Sequence, residues 1–499
     1  MRLKITSRKS DLARWQSVQV ARHLERLPEK PSVEFIFKSS LGDDNLDVPL
    51  ANMGAKGVFT EDFHQDLIQG RADLVVHSWK DLPVEDRAGT MIACTLARAD
   101  MRDLILIPKN VWQETERAGS LKVLTSSPRR VYNLTQCLSR LLPGHPRVEF
   151  VNVRGNVPTR LRKMHAEGAA LVLAKAGLDR LLEAESQSFL EGGVSVRELI
   201  QDCRFQILPL SLNPPAAAQG ALAVEIARGN ETLEALTRAI ADASAYRAVR
   251  MEREILSRYG GGCHQKIGVA VVPKPYGWLR ALRGLTDAGE VLNEWRIESE
   301  TEWSKAETQL NVFPLQAKQN SWFERERLPL TQPPREDRGL FVARAEAWPV
   351  DFAPLEEQFV WTAGVQTWMK LAEKGVFVSG CHDGLGESED PGLQTLLGGA
   401  VSWCKFTHAR APEGRGRAVA TYRLQPKARS PDLNGKTHFY WMSSTAFERA
   451  RELYPQVIKQ GRHACGPGHT YEFLAREKGL NHPIKIFVGL DQFLRETLP

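Results

Sequence analysis

The sequence predicts an α/β protein of several domains, and three features support this fold class. The 499 residues exceed what one ordinary hydrophobic core contains, so we expect about three or four domains. Strand–turn–helix patterns recur through the first half of the chain, as in sheets with helical crossovers. The run DLVVHS, at 73–78, is largely apolar without alternation, which is typical of a strand buried on both faces of a parallel sheet.

Composition and charge exclude several other classes. The hydrophobic content of 42% and the charged content of 25% are those of globular proteins and argue against disordered or fibrous chains. No stretch has the length of a membrane span and the start lacks the apolar segment of a secretion signal, so we expect a cytoplasmic protein. The net charge of +6 allows an anionic ligand, but the chain lacks the dense basic stripe of a nucleic-acid binder. Seven scattered cysteines without CxxC spacing favour neither a disulfide framework nor a metal site. Separately, we expect the protein to be a monomer.

The chain begins with a strand at 2–5, the turn TSRKS and an amphipathic helix. Ser10 stands at the N-cap position, where the unpaired N–H groups of the helix favour an anion, and Arg8 would point to the same place. A plain capped helix with a surface arginine is the better explanation of this turn taken alone.

The next predicted ligand site lies at the end of the DLVVHS strand. A second strand, VEFIF, comes earlier and is followed by a glycine-punctuated loop that could act as a lid and that ends near Lys56. Ser78, Lys80 and Asp81 then follow DLVVHS, and ligands of open α/β sheets gather at the carboxyl ends of strands. A solvated partner for Lys80, or a turn residue before a proline, is an equally good interpretation of Asp81.

Basic turns recur beyond residue 101, in the motifs TSSPRR and RGNVPTR and in the helix AGLDRL. The planar guanidinium of arginine matches carboxylates or phosphates in a bidentate manner. A charged surface explains any one such turn, but it explains poorly the four turns TSRKS, HSWKD, TSSPRR and RGNVPTR taken together. The motifs beyond residue 101 contribute the candidates Thr125, Ser126, Arg129, Arg130, Arg154, Gly155, Arg160 and Arg180.

Three consecutive glycines lead into Cys263 in the run YGGGCHQKIG. Glycine is poor in helix and strand interiors, so this run predicts a loop that presents one thiol. A buried structural cysteine is the usual interpretation of an isolated thiol, but the basic turns upstream favour a functional one. Apolar strands follow the loop, and with the helices before it they predict a small α+β domain.

The last third of the chain has two similar halves. The stretch 304–338 is polar and aperiodic and predicts a linker. Beyond it, FVWTAGVQTWMKLAEKGVFVSG and FYWMSSTAFERARELYPQVIKQGRHAC both run strand, small polar turn, helix and strand. This internal echo predicts two α/β lobes.

Eight motifs in one order carry a resemblance to a known family: TSRKS, GAKGVF, HSWKDLP, TSSPRR, RGNVPTR, AGLDRL, AAAQGALAVE and GGGC. With them, residues 1–303 resemble the porphobilinogen deaminase, or hydroxymethylbilane synthase, family of tetrapyrrole biosynthesis. The resemblance implies two periplasmic-binding-like α/β domains, at 1–97 with 208–230 and at 98–207. It also implies a third α+β domain at 231–303, whose Cys263 carries a thioether-linked dipyrromethane cofactor.

The same resemblance implies a reaction and roles for the motif residues. Members of the family add four porphobilinogens to the dipyrromethane and release hydroxymethylbilane, so many carboxylates enter one cleft. Asp81 would stabilise the cationic intermediate and move protons, and Phe59 would stack near the rings. The implied cofactor contacts are Arg8, Ser10, Ser78, Lys80, Thr125, Ser126, Arg129, Arg130, Arg154 and Gly155. The implied substrate contacts are Arg8, Lys56, Phe59, Arg154, Arg160 and Arg180.

The chain departs from the family pattern around the cysteine and in the AAAQGA motif. His264, Gln265 and Lys266 stand where the family usually has a small or polar residue, an apolar residue and proline. Ala217 and Ala218 replace the usual valine and glycine. The cysteine loop could therefore be held differently here.

Residues 339–499 are similar to uroporphyrinogen-III synthase, a two-lobed α/β enzyme, on the motifs GLFVARAEAWP, ATYRLQP, MSSTAFERA and CGPGHTYEFL. This resemblance implies a cyclase that inverts ring D of the bilane, with Tyr422, Ser443, Ser444 and Thr470 as candidate polar contacts. A structural module without catalysis is the alternative for this region. For the whole chain, the alternative class is a non-catalytic anion-binding sensor.

Overall fold

The computed structural model describes residues 1–38, 61–85, 87–190, 195–261, 265–330, 333–411 and 414–499. The chain divides into two compact units. Unit 1 consists of Met1–Ser139, Pro146–Pro273 and Ala281–Asn293, and unit 2 of Arg140–His145, Lys274–Arg280 and Glu294–Pro499. Among the described residues, no helix combines the length and the apolar character needed to cross a membrane.

The strands follow one another throughout the chain. In order they are β1 (Arg2–Arg8), β2 (Ser32–Lys38), β3 (Leu74–Ser78), β4 (Thr90–Cys94), β5 (Asp103–Pro108), β6 (Ser120–Leu124), β7 (Arg147–Val151), β8 (Ala170–Ala174), β9 (Cys203–Ile207), β10 (Leu222–Ala227), β11 (Gly268–Lys274), β12 (Gly277–Leu285), β13 (Val291–Glu298), β14 (Val312–Phe313), β15 (Phe323–Arg327), β16 (Gly339–Val342), β17 (Phe359–Thr362), β18 (Val378–Cys381), β19 (Trp403–His408), β20 (Arg417–Pro426), β21 (His438–Trp441), β22 (Arg462–Cys465) and β23 (Lys485–Ile486).

Helices alternate with these strands. They are α1 (Asp11–Leu24), α2 (Glu61–Ile68), α3 (Lys109–Ala118), α4 (Pro128–Thr135), α5 (Leu138–Leu141), α6 (Val157–Ala166), α7 (Lys175–Ser186), α8 (Val196–Ile200), α9 (Glu231–Ala239), α10 (Ala243–Ser257), α11 (Val365–Ala372), α12 (Gln394–Leu397), α13 (Ser444–Leu453), α14 (Pro455–Gln460), α15 (His469–Leu474) and α16 (Leu490–Thr497). The predicted α/β class is confirmed.

Unit 1 contains two five-stranded sheets with the same topology. The first sheet has the order β2-β1-β3-β10-β4 and the second the order β7-β6-β8-β5-β9. In each, three parallel strands are followed by an inserted strand that runs antiparallel to both of its neighbours, β10 in the first sheet and β5 in the second. Both inserted strands directly follow the places where the chain passes from one sheet to the other. The carboxyl ends of β1, β3, β6 and β7 carry the turns singled out in the sequence, and β8 leads into the helix that contains AGLDRL.

Burial of apolar side chains explains why the segments of β1 and β3 form strands and that of α1 forms a helix against them. Leu3, Ile5 and Leu74 on the strands pack with Val20 and Leu24 of α1 in one core cluster. The helix has an acidic residue in its first turn and basic residues in its last, which suits the helix dipole. The first sheet is thus covered by α1 on its core face, and the loop before α1 is left at the sheet edge.

Unit 2 contains two further sheets. The smaller has the order β14-β21-β22-β23 and is parallel throughout. The larger has the order β15-β20-β19-β16-β17-β18 and is parallel except for β15. The two echoing sequence segments form the parallel pairs β17–β18 and β21–β22, one in each sheet, as the echo predicts. A separate three-stranded sheet has the order β11-β12-β13.

The linker predicted for 304–338 is wrong. This stretch contributes β14 to one sheet of unit 2 and β15 to the other, and it buries Val312, Phe313 and Trp322. Both strands are short, and β15 reads FERER with a mostly exposed surface, so neither has the apolar period by which a strand is recognised. The remaining predicted domain boundaries stay predictions.

Candidate active site

The turn after β1 presents Arg8 and Ser10 at the start of α1. Ser10 has the extended backbone of an N-cap, φ −64° and ψ 147°, but its side chain makes no capping hydrogen bond. Its carbonyl accepts the first helical hydrogen bond, from Arg14 N at 2.9 Å. The N–H groups of the first turn therefore have no capping side chain, as a helix end that meets an anion requires.

The turn after β3 presents Lys80 and Asp81. Ser78 closes the strand, and its hydroxyl exchanges hydrogen bonds of 3.0 and 3.2 Å with the Gln16 amide on α1. Residues Trp79–Asp81 form a 3₁₀ turn in which the Trp79 ring is buried and the Asp81 carboxylate is exposed. A buried ring thus anchors the turn and directs the next acid outward.

Arg253, on α10, holds the same turn from behind. Its guanidinium donates to the carbonyls of Trp79 at 3.4 Å and Leu82 at 3.3 Å, and also to that of Pro83. The guanidinium carbon lies 6.0 Å from the centre of the Trp79 ring. Since these three contacts fix the backbone on either side of Asp81, its carboxylate projects from a fixed backbone. Sequence reasoning missed Arg253, because it lies far along the chain in a helix with many charges.

Lys80 is half-buried as a residue, and its ammonium lies 3.4 Å from the Gln219 side-chain oxygen. Burial lowers the pKa of Lys80, and the Asp81 carboxylate opposes this shift. Arg130 and Arg129 lower the pKa further, and Asp103 raises it. Lys80 is therefore a cation whose charge is not fully compensated, which an anionic ligand would correct.

The TSSPRR turn is fastened to the end of β7. Thr125 donates its N–H to Val151 O at 2.9 Å, and its hydroxyl accepts the Ser127 N–H at 3.3 Å. The Ser126 hydroxyl donates to Val153 O at 2.5 Å and accepts the Val153 N–H at 2.9 Å. Ser127 then caps α4. The hydroxyls of this turn are engaged in hydrogen bonds with the backbone. Ser126 can therefore bind a ligand only as a hydrogen-bond acceptor, through its remaining lone pair.

Arg129 and Arg130 are buried and engage a carboxylate of the protein itself, Asp103. Arg130 contacts it with two nitrogens, at 2.7 and 3.1 Å, and Arg129 with one, at 2.9 Å. Further hydrogen bonds go to the carbonyls of Val172 and Pro214. The predicted contact of these arginines with a cofactor stays a prediction. In this structure the two guanidinium groups donate to Asp103 and to backbone carbonyls of the protein. Asp103 was not among the residues predicted from the sequence.

Asp103 is the centre of a buried network. Asn213 and Gln219 each donate a side-chain N–H to its carboxylate, at 2.9 Å. Although burial raises the pKa of Asp103, Arg129 and Arg130 more than offset it and hold the pKa well below its ordinary range. The Gln219 amide thus bridges Asp103 to Lys80. A signal was present in the sequence, since an acid directly before the wholly apolar run LILIP is unusual unless it is paired.

The RGNVPTR turn brings Arg160 into the same electrostatic environment. Gly155 has φ +117°, and a Cβ there would lie 2.7 Å from the Thr159 methyl group, so this position requires glycine. Arg160 donates to Gly155 O at 2.7 Å. Burial lowers the pKa of Arg160, Arg130 adds to this effect and Asp81 opposes it. Arg154 is exposed beside this turn, and its carbonyl accepts from Lys163.

Arg180, on α7, is buried and donates to Gly220 O at 2.8 Å. Burial lowers the pKa of Arg180 to about 10, against the carboxylates Glu183 and Asp179. Like Arg129, it has a structural partner in the crossing segment before β10. Asp81 and Arg130 thus both act on the pKa values of Lys80 and Arg160, whereas Arg180 lies against the backbone. Lys56, Phe59 and Cys263 lie outside the described residues.

The C-terminal candidates lie in unit 2. Tyr422 is buried on β20, with its ring centre 5.9 Å from that of His408. The Ser443 hydroxyl accepts the Ala446 N–H at 3.3 Å and so caps α13, whose first residue is Ser444. Thr470 is half-buried in the first turn of α15. Ser443 and Ser444 thus act at a helix start, and their predicted contacts with a ligand stay predictions.

The two sheets of unit 1, with basic turns at their strand ends, define an α/β protein whose strand ends present cationic side chains. A family model described as "Porphobilinogen deaminase, dipyromethane cofactor binding domain" matches residues 3–235. The porphobilinogen deaminase of Campylobacter hominis is 33% identical over 313 residues, covering 62% of this chain and 93% of the relative. That of Lachnospira eligens is 34% identical over 304 residues, covering 60% and 93%. The chain belongs to the porphobilinogen deaminase family.

Among solved structures, the BenM effector binding domain with its effector benzoate is similar at 14% identity. The match covers 52% of this chain and 93% of that one, with a TM-score of 0.26, and we draw no argument from it. Among the residues that the structure describes, no group of histidine, cysteine or acidic side chains could hold a metal ion.

Proposed function

We propose that this protein is a cytoplasmic, monomeric porphobilinogen deaminase, which joins four porphobilinogens onto a dipyrromethane attached to Cys263 and releases hydroxymethylbilane. The observation that carries the proposal is the exposed Asp81 carboxylate, on a turn held by Arg253, whose charge acts on both Lys80 and Arg160, in a member of this family. The dipyrromethane, when bound, supplies the free α-carbon at which the first carbon–carbon bond forms.

The residues present suit such a group. Each pyrrole carries an acetate and a propionate, and Lys80 and Arg160 both have pKa values lowered by burial. A carboxylate placed beside either cation would restore its charge balance through a charge-assisted hydrogen bond. Arg8, Ser10 and Arg154, at neighbouring strand ends, would take further carboxylates.

Asp81 has the central chemical role. When the aminomethyl group of porphobilinogen loses ammonia, the C–N bond breaks and the remaining pyrrole carries a positive charge. The exposed Asp81 carboxylate, held in place through Trp79 and Arg253, would stabilise this charge and accept the proton that is released when the new bond forms. Because its backbone is fixed in advance, no backbone reorganisation is needed during the reaction.

An intact-mass measurement under denaturing conditions tests the covalent part of the proposal. We expect an excess mass of two linked pyrrole units on the peptide that contains Cys263, and none in the Cys263→Ser variant. If the wild-type protein still lacks the excess after incubation with porphobilinogen, the covalent cofactor is refuted.

A kinetic comparison tests Asp81. We expect Asp81→Asn to lower kcat by about 10²–10⁴-fold, the usual range for a lost proton-transfer group, while the cofactor mass is retained. Asp287→Asn, an exposed acid in the β12–β13 turn, is the control and should behave as wild type. A non-catalytic anion-binding protein, the alternative, would show no porphobilinogen turnover in either form and unchanged ligand affinity in both.

We also propose that residues 339–499 act as a uroporphyrinogen-III synthase. The supporting observation is a set of basic side chains that act on His408, whose ring neighbours that of Tyr422. Burial lowers the pKa of the neighbouring His408, and Lys405, Arg344, His469 and Arg325 lower it further. A linear tetrapyrrole with eight carboxylates is complementary to these basic side chains, and a tethered cyclase would meet it at high effective concentration.

An isomer assay separates this activity from the alternative of a structural module. We expect the full chain, supplied with porphobilinogen, to yield mainly type III uroporphyrin after oxidation, and Tyr422→Phe to shift the product toward type I. Production of type I alone by the wild-type chain would leave only the structural alternative.

A further inference from the structure

A surface cavity of about 440 Å³ lies beside α4 in unit 1. Its lining includes Ser126, Val131, Tyr132, Thr135, Asn152 and Lys266. Three of these carry hydroxyls, one carries an amide and one is apolar. Among the described residues that line the cavity, Lys266 is the only charged one.

The backbone of Lys266 is fixed although its side chain is exposed. Gln265 and Ile267, on either side, are buried, and the Gln265 amide donates to Tyr259 O. A Cβ on Gly284 of β12 would lie 2.2 Å from the Lys266 carbonyl oxygen, so the neighbouring strand lies directly against this backbone. Lys266 therefore lines the cavity from a fixed backbone.

The cavity lies within reach of whatever is attached to Cys263. Lys266 lies three positions after Cys263 in the sequence, so their Cα atoms are at most about 11 Å apart. The Tyr132 ring and Val131 offer apolar contact to a flat ring, and the hydroxyls with Lys266 offer partners to its carboxylates. The size falls in the range of pockets that hold small organic ligands.

We propose that this cavity binds a carboxylated pyrrole ring added during elongation, with Lys266 pairing with one of its carboxylates. The inference rests on the proposed deaminase function. It is particular to this chain, since relatives in the family usually have proline at this position. Of the residues expected to contact the cofactor rings, Ser126 lines the cavity and the others do not, so the cavity offers additional space for the growing chain.

The test counts rings on the purified full-length protein by intact mass after addition of limiting porphobilinogen. Wild type, Lys266→Arg, Lys266→Ala and Lys266→Glu are compared, with Lys318→Glu, an exposed lysine of unit 2, as the charge control. We expect Lys266→Ala and Lys266→Glu to keep the cofactor mass but to slow one addition by about tenfold, so that a partly elongated species accumulates. Lys266→Arg and Lys318→Glu should match wild type.

The possible outcomes are distinct. Unchanged ring distributions in Lys266→Ala and Lys266→Glu would overturn the inference, and loss of the cofactor mass in them would assign the carboxylate to the cofactor and overturn the assignment to an added ring. Thermal unfolding midpoints equal to that of wild type would show that the variants fold. Absence of cofactor mass and turnover in the wild type itself would overturn the proposed function together with this inference.

Discussion

At the scale of single residues, the buried carboxylate of Asp103 determines the geometry of the candidate site. It accepts hydrogen bonds from Arg129, Arg130, Asn213 and Gln219, and no part of it is exposed. These partners come from α4 and from the crossing segment before β10, so one acid joins segments that lie far apart in the sequence. Both the predicted ligand-binding arginines depend on it for their positions.

Replacing Asp103 by asparagine should destabilise unit 1 strongly. The asparagine amide would present donors to the donors of Arg129 and Arg130, leaving buried charge uncompensated, and we expect a loss of about 3–5 kcal/mol in the free energy of unfolding. Urea unfolding measures it, with Asp287→Asn as a control that should change by less than about 0.5 kcal/mol. A loss below about 1 kcal/mol would mean that the arginines find other partners.

Ala218, which departs from the family pattern, adopts a backbone conformation that is unfavourable for alanine. Its φ is +66°, in the left-handed region that glycine adopts freely and alanine does not. The family pattern set out in the sequence analysis has glycine here, and the positive φ is a physical reason for that preference. The methyl group is buried with Trp79 and Val249 in a local core, which offsets part of the strain.

At the scale of secondary structure elements, α10 connects the predicted cysteine-bearing domain to the rest of unit 1. The Glu252 carboxylate on this helix is fully buried and accepts four hydrogen bonds. Two come from Arg98, at 2.7 and 2.8 Å, and two from the N–H groups of Ala218 and Val271, both at 2.8 Å. The helix therefore fixes β11 and the AAAQGA segment at the same time.

The Glu252→Gln variant should lose both stability and cofactor. One end of the glutamine side chain becomes a donor facing donors, and Arg98 loses its counter-charge, so we expect about 3–5 kcal/mol less stability. We also expect a lower fraction of protein with the dipyrromethane mass, because α10 leads into the cysteine loop. Thermal unfolding and intact mass measure the two effects. Glu254→Gln, on the exposed face of the same helix, is the matched control, and an equal effect in both variants would contradict the argument.

Elements with strong patterns were predictable, and long-range pairings were not. The apolar strands β3, β5 and β8 and the helix α1 follow from periodicity, and the turns at their ends follow from serine and arginine. β14 and β15 could not be predicted, since each is stabilised by pairing with a distant strand and not by its own pattern. The partners of Arg129 and Arg130 were hidden for the same reason, because Asp103 and Gln219 meet them only after folding.

At the scale of the whole molecule, buried histidines are concentrated in unit 2. His463 is fully buried, where its Nδ1 accepts the Trp441 indole N–H at 2.9 Å and its Nε2–H donates to Ile458 O at 2.7 Å. Burial lowers the pKa of His463 to about 4. Burial also lowers the pKa values of His408 and His438. In unit 1, by contrast, Asp103 keeps its charge far into the acid range.

Unit 2 should therefore unfold before unit 1 when the pH falls from 7 to about 4.5. In the unfolded chain histidine protonates near its ordinary pKa of 6.5, whereas folded His463 does so only near pH 4. The unfolded state thus binds more protons in this window, so stability present above pH 6.5 is lost as the pH falls, by up to about 3 kcal/mol from His463. Urea unfolding with pulse proteolysis, which identifies the unit that is cut, measures this loss at both pH values. His463→Gln, whose amide can both accept and donate, should show a smaller difference between the two pH values. Equal acid sensitivity in wild type and variant, or earlier cleavage of unit 1, would refute the role of the buried imidazole.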